Sequence, residues 1–255
     1  MKLSDRTILI TGAAGGLGSA LAFKCAAAGA NLVLLDKNRR ALGDLSDRIT
    51  DHGCEAPGLY PMDLAGAGFD DFTDLVETIK SAFNGLDALV HCALDFDGLQ
   101  PLEQVAPQDW LRSLQVNVNA PWLLTCSVLP LLKQSANGRL FFLLDDLEEV
   151  TGAYWGSYGT GKAALAGMVK QFHETLSNTS IAVRGIIPGA MRTAFRAKVY
   201  HAESPLEQPD PVIVAGKIAD MLENDCSTDG PMVDFSARGR GALPFSQDSW
   251  RPRSR

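Results

Sequence analysis

Thr7-Ile8-Leu9-Ile10-Thr11-Gly12-Ala13-Ala14-Gly15-Gly16-Leu17-Gly18 reads as a strand that runs straight into a glycine turn. The first five residues are apolar or β-branched, as expected of a strand buried on both faces. After the glycines, Leu17, Leu21 and Cys25 recur at helical spacing. Strand, glycine turn and helix in that order make a phosphate cradle: glycines let backbone approach a pyrophosphate, and the helix start offers free N–H groups and its positive dipole end.

Outward from this stretch, short apolar runs alternate with longer amphipathic ones. Strands are expected near Thr7-Thr11, Asn31-Asp36, Glu55-Met62, Ala88-Cys92, Arg139-Leu144, Ala182-Ile187 and Met232-Phe235. Helices are expected over Gly16-Ala28, Arg39-Asp51, Phe69-Phe83, Pro107-Leu132, Ser157-Ser177 and Pro211-Glu223. This predicts an α/β fold of Rossmann type, a doubly wound parallel sheet of seven strands with helices on both faces, in one domain over residues 1–255. Residues 190–210 break the rhythm, with Pro205, Pro209 and Pro211 fencing off a short helix around Thr193-His201. The segment follows the sixth strand and is expected to be a lid over the substrate.

The formal charge of −7, from 23 Lys+Arg and 30 Asp+Glu, argues against a nucleic-acid groove. The basic cluster Arg251-Pro252-Arg253-Ser254-Arg255 reads as an exposed tail. Cys25, Cys54, Cys92, Cys126 and Cys226 are odd in number and form no CxxC pair, which suits a reducing cytosol; the four histidines show no ligand spacing with them, so no metal is expected. The N-terminus has no secretory apolar region and no run is long enough to span a bilayer. A cytoplasmic protein without membrane or nucleic-acid partners is expected.

Asp36 closes the second strand about twenty residues after the glycines. A carboxylate there accepts hydrogen bonds from the adenosine ribose and repels a 2′-phosphate, which favours NAD over NADP, although Lys37, Arg39 and Arg40 follow at once. Asp63, in Met62-Asp63-Leu64, is expected at the adenine edge. Tyr158 and Lys162 stand four apart in a helical stretch and so share one face.

The glycine pattern, Asp63-Leu64, the Tyr158 to Lys162 spacing and Pro188-Gly189 with Thr193 together resemble the short-chain dehydrogenase/reductase family, over roughly residues 5–236. The resemblance implies that Tyr158 exchanges a proton with the substrate oxygen, that Lys162 lowers the tyrosine pKa and binds the nicotinamide ribose, and that Asn117 holds a water linking the lysine to solvent. It implies cofactor contacts at Gly12, Gly16, Leu17, Gly18, Asp36, Asp63, Leu64, Ala93, Lys162, Pro188, Gly189 and Thr193. It also implies pairing of subunits through the two long helices. Their apolar residues (Trp122, Leu123, Leu129; Leu165, Met168, Phe172) lie on more than one face, as in a homodimer or homotetramer.

The chain departs from the family at two places. The family's Asn-Ala-Gly after the fourth strand is Cys92-Ala93-Leu94 here. The family's substrate-binding serine aligns with Asp145, and no Ser or Thr occurs from Ala136 to Val150. An ionised Asp145 about 5 Å from the tyrosine oxygen would repel a phenolate by about 3 kcal/mol at an effective dielectric of about 20. A protonated one would donate to the substrate oxygen as a serine does. Three functions are therefore open: an NAD(H)-dependent oxidoreductase acting on a small neutral or cationic carbonyl or alcohol, with Tyr158, Lys162, Asn117 and Asp145 as its catalytic set; an NAD(H)-binding sensor or partner subunit without catalysis; or a structural or assembly role with no cofactor.

Overall fold

The alternation of side chains along the first strand organises the molecule. In β1 (Thr7–Thr11), Ile8 and Ile10 face one layer of helices and Leu9 faces the other, and every residue of the strand is buried. Six further parallel strands flank it: β2 (Asn31–Asp36), β3 (Gly58–Pro61), β4 (Ala88–His91), β5 (Arg139–Leu143), β6 (Ala182–Ile187) and β7 (Met232–Asp234), in the order β3-β2-β1-β4-β5-β6-β7. The computed structural model describes residues 3–83, 85–224 and 230–236. Cys226 and the basic tail Arg251–Arg255 lie outside them.

Helices α1 (Gly16–Ala27), α2 (Arg39–Asp51) and α9 (Pro211–Glu223) cover the face that Ile8 and Ile10 enter, with Leu21, Leu42 and Ile218 fully buried. Helices α3 (Phe69–Ala82), α4 (Pro107–Leu114), α5 (Ala120–Leu132) and α7 (Gly156–Thr175) cover the other, around Phe72, Leu124 and Val169. The result is the three-layer, doubly wound sheet expected from the sequence. The winding reverses between β1 and β4, which are paired from Ile8↔Ala88 to Thr11↔His91. A crevice opens beyond the carboxyl ends of strands at such a reversal.

Local boundaries correct the sequence reading in several places. β3 is half the expected length, because Pro57 and Pro61 bear no N–H for the ladder and the strand lies at the sheet edge. The expected single helix Pro107–Leu132 is interrupted by a π-helical turn, Gln115–Asn119, where the Ala120 N–H donates to the Gln115 carbonyl five residues back. Pro121 supplies the reason: without an N–H it cannot serve the Asn117 carbonyl four residues earlier. A four-residue helix, α6 (Leu147–Val150), occupies the acidic run after β5, where Asp146 caps it by accepting from the Glu148 N–H at 3.1 Å. The short helix expected around Thr193-His201 is α8 (Ala194–Val199), with Thr193 as its cap.

Among the described residues no helix is long and apolar enough to cross a membrane.

Candidate active site

The glycine turn is shaped by contacts that admit no side chain. Gly12 has φ +63°, and a Cβ on it would stand 2.6 Å from the Ala93 backbone at the end of β4. A Cβ on Gly18 would lie 2.2 Å from the Gly12 carbonyl, so the turn and the first coil of α1 close on each other. Gly15 precedes α1 with no side-chain cap, which leaves the helix N–H groups facing the crevice. Across the crevice, a Cβ on Gly16 would lie 2.9 Å from the Thr193 side chain, so the segment after β6 approaches the glycine turn closely.

Asp36 is held over this turn by two backbone donors. Its Oδ2 accepts from the Ala14 N–H at 3.1 Å and its Oδ1 from the Asn38 N–H at 2.9 Å. Asp63 accepts from the Ala65 N–H at 3.0 Å, closing a tight turn after β3. The Ala93 N–H donates to the Thr11 hydroxyl at 3.3 Å, which ties the ends of β1 and β4 at the position where Cys92-Ala93-Leu94 replaces the expected Asn-Ala-Gly.

At the other end of the crevice, α7 presents Tyr158 and Lys162, both nearly fully buried. The helix can approach closely because Gly159 and Gly161 have no side chains. A Cβ at Gly159 would lie 1.8 Å from the Val150 carbonyl, and one at Gly161 would lie 3.1 Å from Asn117 Cβ. The Tyr158 hydroxyl donates to Asp145 Oδ2 at 2.9 Å, and the other carboxylate oxygen accepts from the Asp146 N–H at 2.9 Å. With both oxygens accepting, the arrangement fits the carboxylate form of Asp145. The separation is shorter than the 5 Å assumed from the sequence, and the carboxylate engages the phenol directly.

The electrostatics follow from burial. Burial raises the Asp145 pKa, against the pull of Lys162, the Tyr158 hydroxyl and the Asp146 N–H. Burial, followed by the charge and hydrogen bond of Asp145, holds the Tyr158 phenol well above its ordinary value. Burial brings Lys162 down to about 8, opposed by Asp145, and its Nζ donates to the Leu143 carbonyl at 2.7 Å. Beside it, burial pushes the Cys92 thiol up to about 12. In this state the phenol is a poor proton donor, because its proton already serves a carboxylate.

Together these groups line one cleft of about 540 Å³. Gly12, Gly16, Leu17, Gly18, Asp36, Asp63, Leu64, Ala93, Asp145, Tyr158, Lys162, Pro188, Gly189 and Thr193 all face it. Asn117 does not. Its amide instead clasps the loop after β4, donating to the Asp95 carbonyl at 2.8 Å and accepting from the Asp95 N–H at 3.0 Å, with a further bond to Ser113.

The chain as a whole is similar to known proteins. A family model described as short chain dehydrogenase matches residues 6–204. The chain belongs to the short chain dehydrogenase family. Within that family it is 32% identical over 209 residues to the uncharacterized oxidoreductase YciK of Escherichia coli K12, covering 82% of each protein. Among solved structures, a short chain dehydrogenase from Pseudomonas syringae superposes with a TM-score of 0.85 at 33% identity, over 91% of this chain and 95% of that one. Another, from Shigella flexneri and complexed with NADP, superposes with a TM-score of 0.87 at 30% identity, over 91% and 97%.

Several cleft residues escaped the sequence reading. Arg196 of α8 and Tyr200 just after it face the cleft, with the Tyr200 hydroxyl donating to Glu149 of the acidic run after β5. Arg196 makes a two-pronged bond to Glu203, at 2.7 Å on each prong, and lies 4.2 Å from the Tyr200 ring centroid. Lys198 donates to the Phe96 carbonyl at 2.5 Å. The sequence signal for these contacts was the alternation of basic and aromatic residues within Thr193-His201, but their partners lie far off in the chain.

Proposed function

We propose that this short chain dehydrogenase holds a nicotinamide dinucleotide in the cleft and transfers hydride between it and a small neutral or cationic substrate. The observation that carries the reading is the shared cleft. One end is a glycine turn packed so closely on the end of β4 that a Cβ at Gly12 would strike the Ala93 backbone, and the other is a buried Tyr158, Lys162 and Asp145 cluster.

The residues divide the work along the cleft. The N–H groups at the start of α1 and the cradle of Gly12, Gly16, Leu17 and Gly18 receive the pyrophosphate. Asp36 receives the adenosine ribose, Asp63 and Leu64 the adenine, and Ala93, Pro188, Gly189, Thr193 and Lys162 the nicotinamide half. The bound cofactor supplies or accepts hydride. Tyr158 and Asp145 govern the proton at the reacting substrate atom, Lys162 supplies positive charge beneath them, and Asn117 fixes the loop that walls this end.

Asp36 favours NAD(H), since its carboxylate points over the cradle from two backbone anchors and repels a 2′-phosphate. The NADP bound to the Shigella flexneri relative favours the other dinucleotide, and Lys37 beside Asp36 gives a phosphate a cationic neighbour. Calorimetric titration of the protein with NADH and NADPH in parallel decides between them, and absence of binding by both removes the oxidoreductase reading.

Self-association is part of the proposal. Leu165 is buried in the core and Leu123, Leu129, Met168 and Phe172 pack against it, but Trp122 on α5 stays half exposed. An exposed indole on a helix face suits contact with a second copy.

A further inference from the structure

The substrate end of the cleft lacks what a carbonyl oxygen needs. A ketone oxygen that gains hydride at its carbon becomes an alkoxide and must take a proton. Here the proton at hand, that of Tyr158, is committed at 2.9 Å to Asp145, and its departure would leave a phenolate beside a carboxylate. A carbonyl oxygen entering this corner would also set its lone pairs against those of Asp145. The corner is a hydrogen-bond acceptor, not a donor.

A protonated nitrogen reverses each of these objections. Its N–H donates to a carboxylate and its charge is offset there. Hydride addition to an iminium carbon, with reduced nicotinamide as donor, converts C=N⁺–H to CH–N–H: the π pair moves onto nitrogen, and no proton is drawn from Tyr158. We propose that the reacting centre of the substrate is a nitrogen, an iminium in its oxidised form and, in its reduced form, an amine that takes a proton from water to become an ammonium, with Asp145 as hydrogen-bond acceptor and counter-ion of the two cations. This rests on the oxidoreductase reading above.

The surroundings agree. Asp145, Asp146 and Glu149 bring three carboxylates to this end of the cleft, against the single ammonium of Lys162. Of the other cations lining the cleft, Arg196 is bound to Glu203, Arg112 bridges Asp95, Asp97 and Asp109, and Lys37 stands at the opposite end beside Asp36. The walls are aromatic: the ring centroids of Phe195 and Trp155 lie 5.3 and 5.7 Å from that of Tyr158. Aromatic walls with a carboxylate corner are how proteins hold organic ammonium ions.

Binding tests this apart from turnover. Ligand-observed NMR titrations of the full chain, with and without saturating cofactor, would use pyrrolidine, which is protonated at neutral pH, and cyclopentanol, a neutral alcohol on a ring of the same size. Pyrrolidine is expected to bind at least tenfold more tightly. Asp145→Asn and Asp145→Ser should each weaken pyrrolidine about tenfold, while Glu77→Gln on the exposed face of α3 should not, which separates the site from general attraction to an acidic protein. In turnover, pyrroline should exceed cyclopentanone. Equal binding of the two probes, loss of pyrrolidine with Glu77→Gln, or a cofactor-bound protein that prefers cyclopentanone overturns the proposal. Failure of both dinucleotides to bind overturns the oxidoreductase reading instead, and the pyrrolidine titration still decides whether Asp145 receives a cation.

Discussion

The phenol of Tyr158 and the carboxylate of Asp145, thirteen residues apart in sequence, share a 2.9 Å hydrogen bond at the end of the cleft. The short helix α6 creates the encounter: it turns the chain after β5 so that Asp145 faces α7, and Gly159 lets α7 come within reach of the Val150 carbonyl. A serine at 145 would leave the phenol free to donate to a substrate. The aspartate captures it.

Replacing Asp145 by Ser should therefore lower the Tyr158 pKa toward the ordinary phenol value, since two of the causes that raise it, charge and hydrogen bond, both come from this carboxylate. Spectrophotometric titration of tyrosine ionisation reads the change. With a simple ketone the same variant should turn over about tenfold faster, near 1.4 kcal/mol of barrier. Unchanged turnover would mean that the captured phenol does not limit the reaction.

Lys162 gives a stability prediction with a definite sign. Its folded pKa, about 8, lies below the ordinary 10.5 because burial outweighs Asp145. Between those values the unfolded chain holds more protons than the folded one, so stability contributed by this group rises with pH through that window. Lys162→Met should thus stabilise the protein at pH 7 by about 2 kcal/mol, and the advantage should shrink as pH climbs from about 8 to about 10.5. Urea unfolding at the two ends of the window measures it; a variant less stable at pH 7 would show that the bond to the Leu143 carbonyl outweighs burial.

Two glycines of α7 form an internal comparison. Gly159→Ala would drive a Cβ to 1.8 Å from a backbone oxygen and should cost about 3 kcal/mol. Gly167→Ala, in the same helix with nothing within 4 Å, should add about 0.5–1 kcal/mol of stability. Thermal unfolding of the pair checks both signs.

Asp36→Asn keeps an oxygen able to accept from one of the two backbone donors and removes the charge. If the carboxylate sets the choice of dinucleotide, the ratio of NADPH to NADH affinity should rise at least tenfold, about 1.4 kcal/mol. A constant ratio would transfer discrimination to Lys37 and its neighbours.

The sequence and structure agree where local pattern suffices. The bounds of β1, β2, β6, α2 and α9 are those expected from periodicity and capping, because long buried runs and strong helix starts need no distant partner. They part where tertiary contacts decide. Pro121 breaks the long helix into two through a π-helical turn whose Asn117 packs on the distant Asp95 loop, and Asp145 meets Tyr158 beside a four-residue helix that no periodicity announces. Of the site residues named by spacing and by the family resemblance, all but one line the cleft; Asn117 turns to the backbone beside it. The acidic run after β5 was visible as charge, but which of its carboxylates meets the phenol was not.

The most direct measurement is the calorimetric titration of the purified protein with NADH and NADPH. Micromolar binding of at least one, abolished by Gly12→Ala, is the predicted result, because that Cβ would strike the Ala93 backbone and force the glycine turn out of shape. Binding of neither would contradict the account and leave the Tyr158–Asp145 pair without a reaction to serve.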